Sequence, residues 1–176
     1  MALIYNALEA WYLFSADKRD EAVARLARAF EIEPNFWVAH LVQARFWISD
    51  NDPERAIAAL QRADALADQS TQPAALLGMV LAQCGRIDAA QAVCDRLQKI
   101  QETRYVPPTS IAAVCAALGE TDQAMSALER AFVDRDTRLV FLKDDARWAA
   151  LRGMPRFDAL RVRMQLHACA AGIAGP

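Results

Sequence analysis

The side chains best suited to metal or nucleophilic chemistry are four cysteines (Cys84, Cys94, Cys115 and Cys169) and two histidines (His40 and His167). No two cysteines stand in C-x-x-C spacing, and neither histidine lies at ligand spacing from them. A zinc site is therefore not expected, and the cysteines read as buried free thiols that act as small hydrophobes. Carboxylates gather at Asp134 and Asp136 and at Asp144 and Asp145, where paired acids could do general acid–base work. Each group is interleaved with cations, namely Arg135, Arg138, Lys143 and Arg147, so helix capping and surface ion pairing are the expected roles. His40 has no acid partner visible in the sequence, and there is no Gly-rich phosphate loop or nucleophile elbow. No catalytic residue, cofactor or metal is expected.

The elements that carry these residues read as helices. The chain has 176 residues, long enough for one domain with a substantial core, and is 55% hydrophobic with only six Gly and seven Pro. Ala and Leu dominate, and they lose little on becoming helical. Acids exceed bases by two and no stripe of Lys or Arg forms, so nucleic acid is not an expected partner. Residues 1–14 are apolar except for Asn6 and Glu9. That stretch is shorter than the roughly 17–25 residues needed to span a bilayer. No Lys or Arg precedes it and Asp17-Lys18-Arg19-Asp20 follows, unlike a secretory leader. A soluble, cytoplasmic chain without a membrane partner is expected.

A period organises the helices. The segment DEAVARLARAF has counterparts further along in PERAIAALQRA, DAAQAVCDRLQ and DQAMSALERAF. One alanine repeats at a constant step, as Ala22, Ala56, Ala90 and Ala124. Four positions on stand Leu26, Leu60, Cys94 and Leu128, and three further Ala29, Ala63, Leu97 and Ala131. Spacing i, i+4, i+7 puts all three on one helical face. Small residues there let backbones approach, and the larger ones fill the remaining volume. Asp52-Pro53 supplies a cap followed by Pro at the first helical position. Gly85 and Gly119 stand where a helix must end in a left-handed conformation, and Asp88 and Thr121 suit the helix starts that follow.

A period of about 34 residues with an A-x3-F step resembles the tetratricopeptide repeat. The resemblance covers residues 3–138 as four repeats, 3–36, 37–70, 71–104 and 105–138. First-helix marks are sparser. The family's Leu-Gly pair stands at Leu77-Gly78, Asn6 and Leu13 or His40 and Trp47 replace its Trp and Tyr, and Pro34 closes one repeat. The resemblance implies an all-α fold, a right-handed superhelical solenoid of four hairpins. Residues 139–166 are expected to cap it: a short apolar run at 139–142, then two short helices broken at Gly153. Trp148, Leu151, Phe157, Leu160 and Met164 would cover the last repeat, and residues 167–176 would form a flexible tail. From Tyr105-Val106-Pro107-Pro108 through Asp145-Ala146-Arg147-Trp148 to Pro155-Arg156-Phe157, the chain also resembles repeat regions of bacterial signalling proteins. Such regions stand behind winged-helix regulators, adenylate cyclases and serine/threonine kinases, which implies sensing or scaffolding beside an effector.

Counting along the family pattern places Trp11, Phe14, Leu41, Arg45, Ile48, Met79 and Gln83 on the inner wall of the superhelix. Only Arg45 matches the chemistry that grips a peptide carboxylate, so an apolar or amphipathic segment is the expected occupant. Helical spacing equally allows Trp11, Phe14, Phe46 and Trp47 to be core. The first helix is apolar nearly all round, and Leu3, Ile4, Tyr5, Leu8 and Tyr12 form a candidate self-association face for a homodimer. The expected function is a non-enzymatic protein-interaction scaffold. The alternatives are a self-associating module whose groove its own C-terminal segment closes, and a sensor of a small apolar ligand.

Overall fold

The small-residue stripes do what their spacing demands. In a computed structural model, which describes residues 2–143 and 145–165, all twelve positions of the repeating stripe are buried, none more than 5% exposed. Eight helices pair as antiparallel hairpins around them. These are α1 (Ala2–Ser15) with α2 (Arg19–Ile32), α3 (Trp37–Ser49) with α4 (Pro53–Leu66), α5 (Gln72–Gln83) with α6 (Ile87–Gln101), and α7 (Pro108–Leu118) with α8 (Thr121–Val133). Two short 3-10 helices, Thr137–Phe141 and Ala146–Leu151, and then α9 (Pro155–Arg163) follow. No strand occurs among the described residues.

The turns inside the hairpins share one geometry. Asp17, Asn51, Gly85 and Gly119 all have positive φ, and each stands one period after the last. The amides of Lys18, Asp52, Arg86 and Glu120 donate to the carbonyls of Leu13, Trp47, Leu81 and Cys115, which closes each first helix in a Schellman motif. Two of these turns carry Asp or Asn, residues that tolerate the left-handed region where Gly is the usual choice. Asp52 caps α4 as expected, its carboxylate accepting from the Arg55 amide at 3.1 Å, with Pro53 behind it. Asp88 and Thr121 lie within the first turns of α6 and α8 and make no side-chain cap.

The chain divides into two compact units, residues 1–106 and 107–176. In the first, Ala10, Ala22, Leu26, Ala29, Ala39, Val42 and Phe46 form a core cluster, with Leu3, Trp11, Leu13, Phe14, Phe30 and Phe36 packed against it. Exposed pairs join successive hairpins: Arg19 to Asp50, Arg86 to Glu54, Arg96 to Asp64 at 2.5 Å, and Arg62 to Asn35 at 2.5 Å. Such surface contacts set register more than stability.

In the second unit the expected cap residues Trp148, Leu151, Phe157 and Leu160 are buried, and α9 and both 3-10 helices contact α8. The run at 139–142 is 3-10 helix and turn, with Leu139 and Leu142 inside and Val140 and Phe141 outside. The first of the two expected short helices, around residues 145–152, is a 3-10 helix over Ala146–Leu151. It still keeps the repeat's beat, since Gly153 has positive φ one period after Gly119, and α9 begins one period after α8. Arg156 of α9 grips both oxygens of Glu129 on α8, at 3.1 and 2.9 Å, which holds that carboxyl below its ordinary value. Asp136 is buried and accepts from the Thr109 amide at 3.2 Å, the Thr109 hydroxyl at 2.6 Å and the Arg138 amide at 3.1 Å. That carboxylate therefore ties the start of α7 to the end of its hairpin. The expected tail 167–176, with His167 and Cys169, and also Asp144, lie outside the described residues.

Candidate protein-interaction surface

The first helices of the first unit carry most of the sequence-predicted contact residues, which fall into two groups. On α1 and α3 the aromatic rings stack. Trp11 and Phe14 stand 6.2 Å apart between ring centroids, and Phe14 lies on Phe46 at 4.2 Å with planes 13° apart. The guanidinium of Arg45 sits over the Trp11 ring at 4.8 Å, and that of Arg19 over Phe14 at 5.4 Å. Trp11 and Phe14 are half-buried, with one side against the core cluster. Core and surface roles thus coincide in the same rings. Arg45 is half-buried and engaged with Trp11, so the expected polar contact comes as a cation–π pair.

The second group lines a groove of about 500 Å³ between the end of α3 and the end of α5. Ile48 and Val80 supply apolar wall, and Asn51, Pro53, Gln83 and Cys84 surround them. The ion pair between Arg86 and Glu54 stands at the same groove. Ile48 and Gln83 thus line the same groove. Met79 is half-buried on α5 and is not among the residues lining this groove. It occupies the repeat position of Trp11 and Arg45, one period on.

Leu41 departs from expectation. It is only 4% exposed, part of the core rather than of a wall. Counting positions along a helix fixes a face only to within a residue, and Leu41 falls on the buried side of α3. Phe46 is core as well, and Trp47 is half-buried beneath the Arg55 guanidinium at 4.9 Å. Cys94 and Cys115 are buried as expected, whereas Cys84 is exposed because it ends α5 at the groove. Among the candidate self-association residues, Leu3 packs on the core, while Ile4, Tyr5, Leu8 and Tyr12 are exposed.

His40 serves structure. Its Nε2 donates to the Pro34 carbonyl at 3.0 Å, and its ring lies 4.8 Å from Phe30. Burial pushes its pKa down, and Arg62 nearby acts in the same direction. Among the described residues no cluster of three His, Cys, Asp or Glu could hold a metal ion, and no helix is long and apolar enough to cross a membrane.

What the geometry offers is a set of apolar and aromatic surfaces repeated at one interval, with polar groups beside them. Residues 13–80 match the family model of the tetratricopeptide repeat. The matched stretch includes α2, α3 and α4 whole and most of α5, so it covers the Phe14–Phe46 stack and the Ile48 wall of the groove but not Trp11. It supports a tetratricopeptide-type protein, and such repeats are in general protein-interaction modules, typically without catalysis. No curated protein and no solved structure matches the chain. Sequence reasoning passed over one further tetratricopeptide-register row, Arg28, Arg62, Arg96 and Arg130, visible as an arginine once in every period. Each finds a partner, in Glu31, Asn35, Asp64 and Asp134 respectively; Arg62 and Arg96 reach across to another element, whereas Arg28 and Arg130 pair along their own helices.

Proposed function

We propose that this chain is a non-enzymatic scaffold whose first-helix surface, Trp11, Phe14, Arg45, Ile48, Met79 and Gln83, binds an apolar or amphipathic segment of a protein partner. The observation that carries the reading is the open groove of about 500 Å³, whose Ile48 and Val80 wall is edged by Asn51, Gln83 and the Glu54–Arg86 pair. An amphipathic helix presents that same combination, apolar side chains flanked by polar ones. A free apolar ligand fits less well, because it would leave the Asn51 and Gln83 amides facing it without partners. Burying three or four apolar anchors at roughly 1.5–3 kcal/mol each supports micromolar affinity after association costs.

The reading includes a right-handed superhelical winding of the hairpins in the first unit, the arrangement the repeat implies. The likeness of the C-terminal part to repeat regions of bacterial signalling proteins would set this scaffold beside an effector. The exposed thiol at Cys84 suits a reducing, cytoplasmic setting.

The test is selection of displayed amphipathic helical peptides on the purified chain, followed by anisotropy titration against variants. Ile48→Glu and Met79→Glu alter half-buried side chains and should each weaken the selected peptides at least tenfold while leaving helical content unchanged. Leu41 is unsuitable as a probe, since a charge in its buried place would unfold the hairpin. Peptides that bind both variants as tightly as the parent would refute the groove assignment.

A further inference from the structure

The most distinctive unassigned surface is the outer face of the first hairpin. Tyr5, Leu8 and Tyr12 follow one another along α1 at i, i+3 and i+7, with Ile4 beside them, and are 62%, 41% and 71% exposed. Val23 on α2 is 50% exposed. Moving Tyr5, Leu8, Tyr12 and Val23 one repeat along the chain gives Ala39, Val42, Phe46 and Ile57, all of them buried at 4% or less, while Ile4 maps to the half-buried Val38. Ala39, Val42 and Phe46 belong to the core cluster, where the alanines of α1 and α2 and the rings of Trp11 and Phe14 pack around them. The same face of the same kind of helix is thus core in the second hairpin and exposed in the first.

We infer that this face is the interface of a homodimer, α1 of one copy against α1 of a second. The inference goes beyond groove binding and uses none of the groove residues. Charge points to the occupant. None of Ile4, Tyr5, Leu8, Tyr12 and Val23 is an acid, a lysine, an arginine or a histidine, and the one acid of α1, Glu9, is held by Arg25 at 3.0 Å. An acidic or basic partner would find nothing there to pair with, whereas a two-fold axis through the face brings no like charges together. Two tyrosines give it large rigid rings with hydroxyls that can stay at a wet rim. The exposed parts of Ile4, Tyr5, Leu8, Tyr12 and Val23 come to roughly 500 Å² per copy, so a pair would bury about 1,000 Å², near the lower bound for a specific interface. An isologous contact of this kind closes at two copies, because each copy spends its face on the other.

The experiment is sedimentation velocity on the 176-residue chain from about 1 to 300 μM. The parent should pass from monomer to dimer with a midpoint on the order of 10–100 μM, as expected for an interface of this size. Leu8→Lys combined with Tyr12→Glu should weaken association at least tenfold, with helical circular dichroism retained. Tyr12→Glu alone, at the most exposed site of the row, serves if the double change costs helix. Tyr105→Glu, which alters a 65% exposed tyrosine elsewhere, should dimerise like the parent. A parent that is monomeric at 300 μM overturns the inference. So does a folded Tyr12→Glu variant that dimerises unchanged, or a species that grows past dimer with concentration.

Discussion

His40 shows how one side chain can report on the packing of a whole hairpin. Its imidazole is wedged against Phe30 and hydrogen-bonded to the Pro34 carbonyl, and burial lowers its pKa from the ordinary 6.5. The unfolded chain therefore binds a proton at this site more readily than the folded one. Above about pH 7.5 both states hold the neutral ring and nothing is lost. As the pH falls through 6.5 the unfolded state is favoured, until the folded ring also titrates. Urea midpoints should accordingly be higher at pH 7.5 than at pH 5.5. His40→Gln keeps a donor for Pro34 but no titrating group, and should flatten that slope. A slope unchanged in the variant would move the proton uptake elsewhere.

At the scale of the helix pair, the alanine stripe decides how closely helices approach. Ala56 has no exposed surface and stands where α4 meets its neighbours. Ala56→Leu would force extra methylenes into filled space and should cost about 1–3 kcal/mol by urea denaturation. The stripe was legible in the sequence because burial of small residues leaves a strict period, and the left-handed turns at Gly85 and Gly119 were legible because Gly is the usual residue there. The wall was less so. Leu41 counts as inward yet is buried, because a covering helix depends on tertiary packing that the period does not encode. Asp136 was expected to cap a helix or pair at the surface; it does cap the 3-10 helix at Thr137–Phe141, but it is buried and also accepts from Thr109, 27 residues away. Arg45 was read as a contact for a partner, and its place over Trp11 depends on two helices meeting. Cys84 was expected inside because cysteine commonly acts as a small hydrophobe, but a helix end is a wet place.

At the scale of the chain, the two compact units make different demands on their closing residues. Trp148 is 3% exposed among Leu151, Phe157 and Leu160, all in the second unit. Trp148→Ala should remove about 3–5 kcal/mol from that unit. Hydrogen exchange would then show faster amides in α7, α8 and α9, and unchanged amides in α2, α3 and α4. Uniform loss across both sets would mean that the units unfold together. The five chain reversals at 17, 51, 85, 119 and 153 fall at one interval whether Asp, Asn or Gly occupies them. A duplicate of residues 52–85 spliced in after Gly85 would enter and leave through matching backbone geometry. The protein can thus be lengthened in whole modules, while the side chains each module displays remain free to diverge.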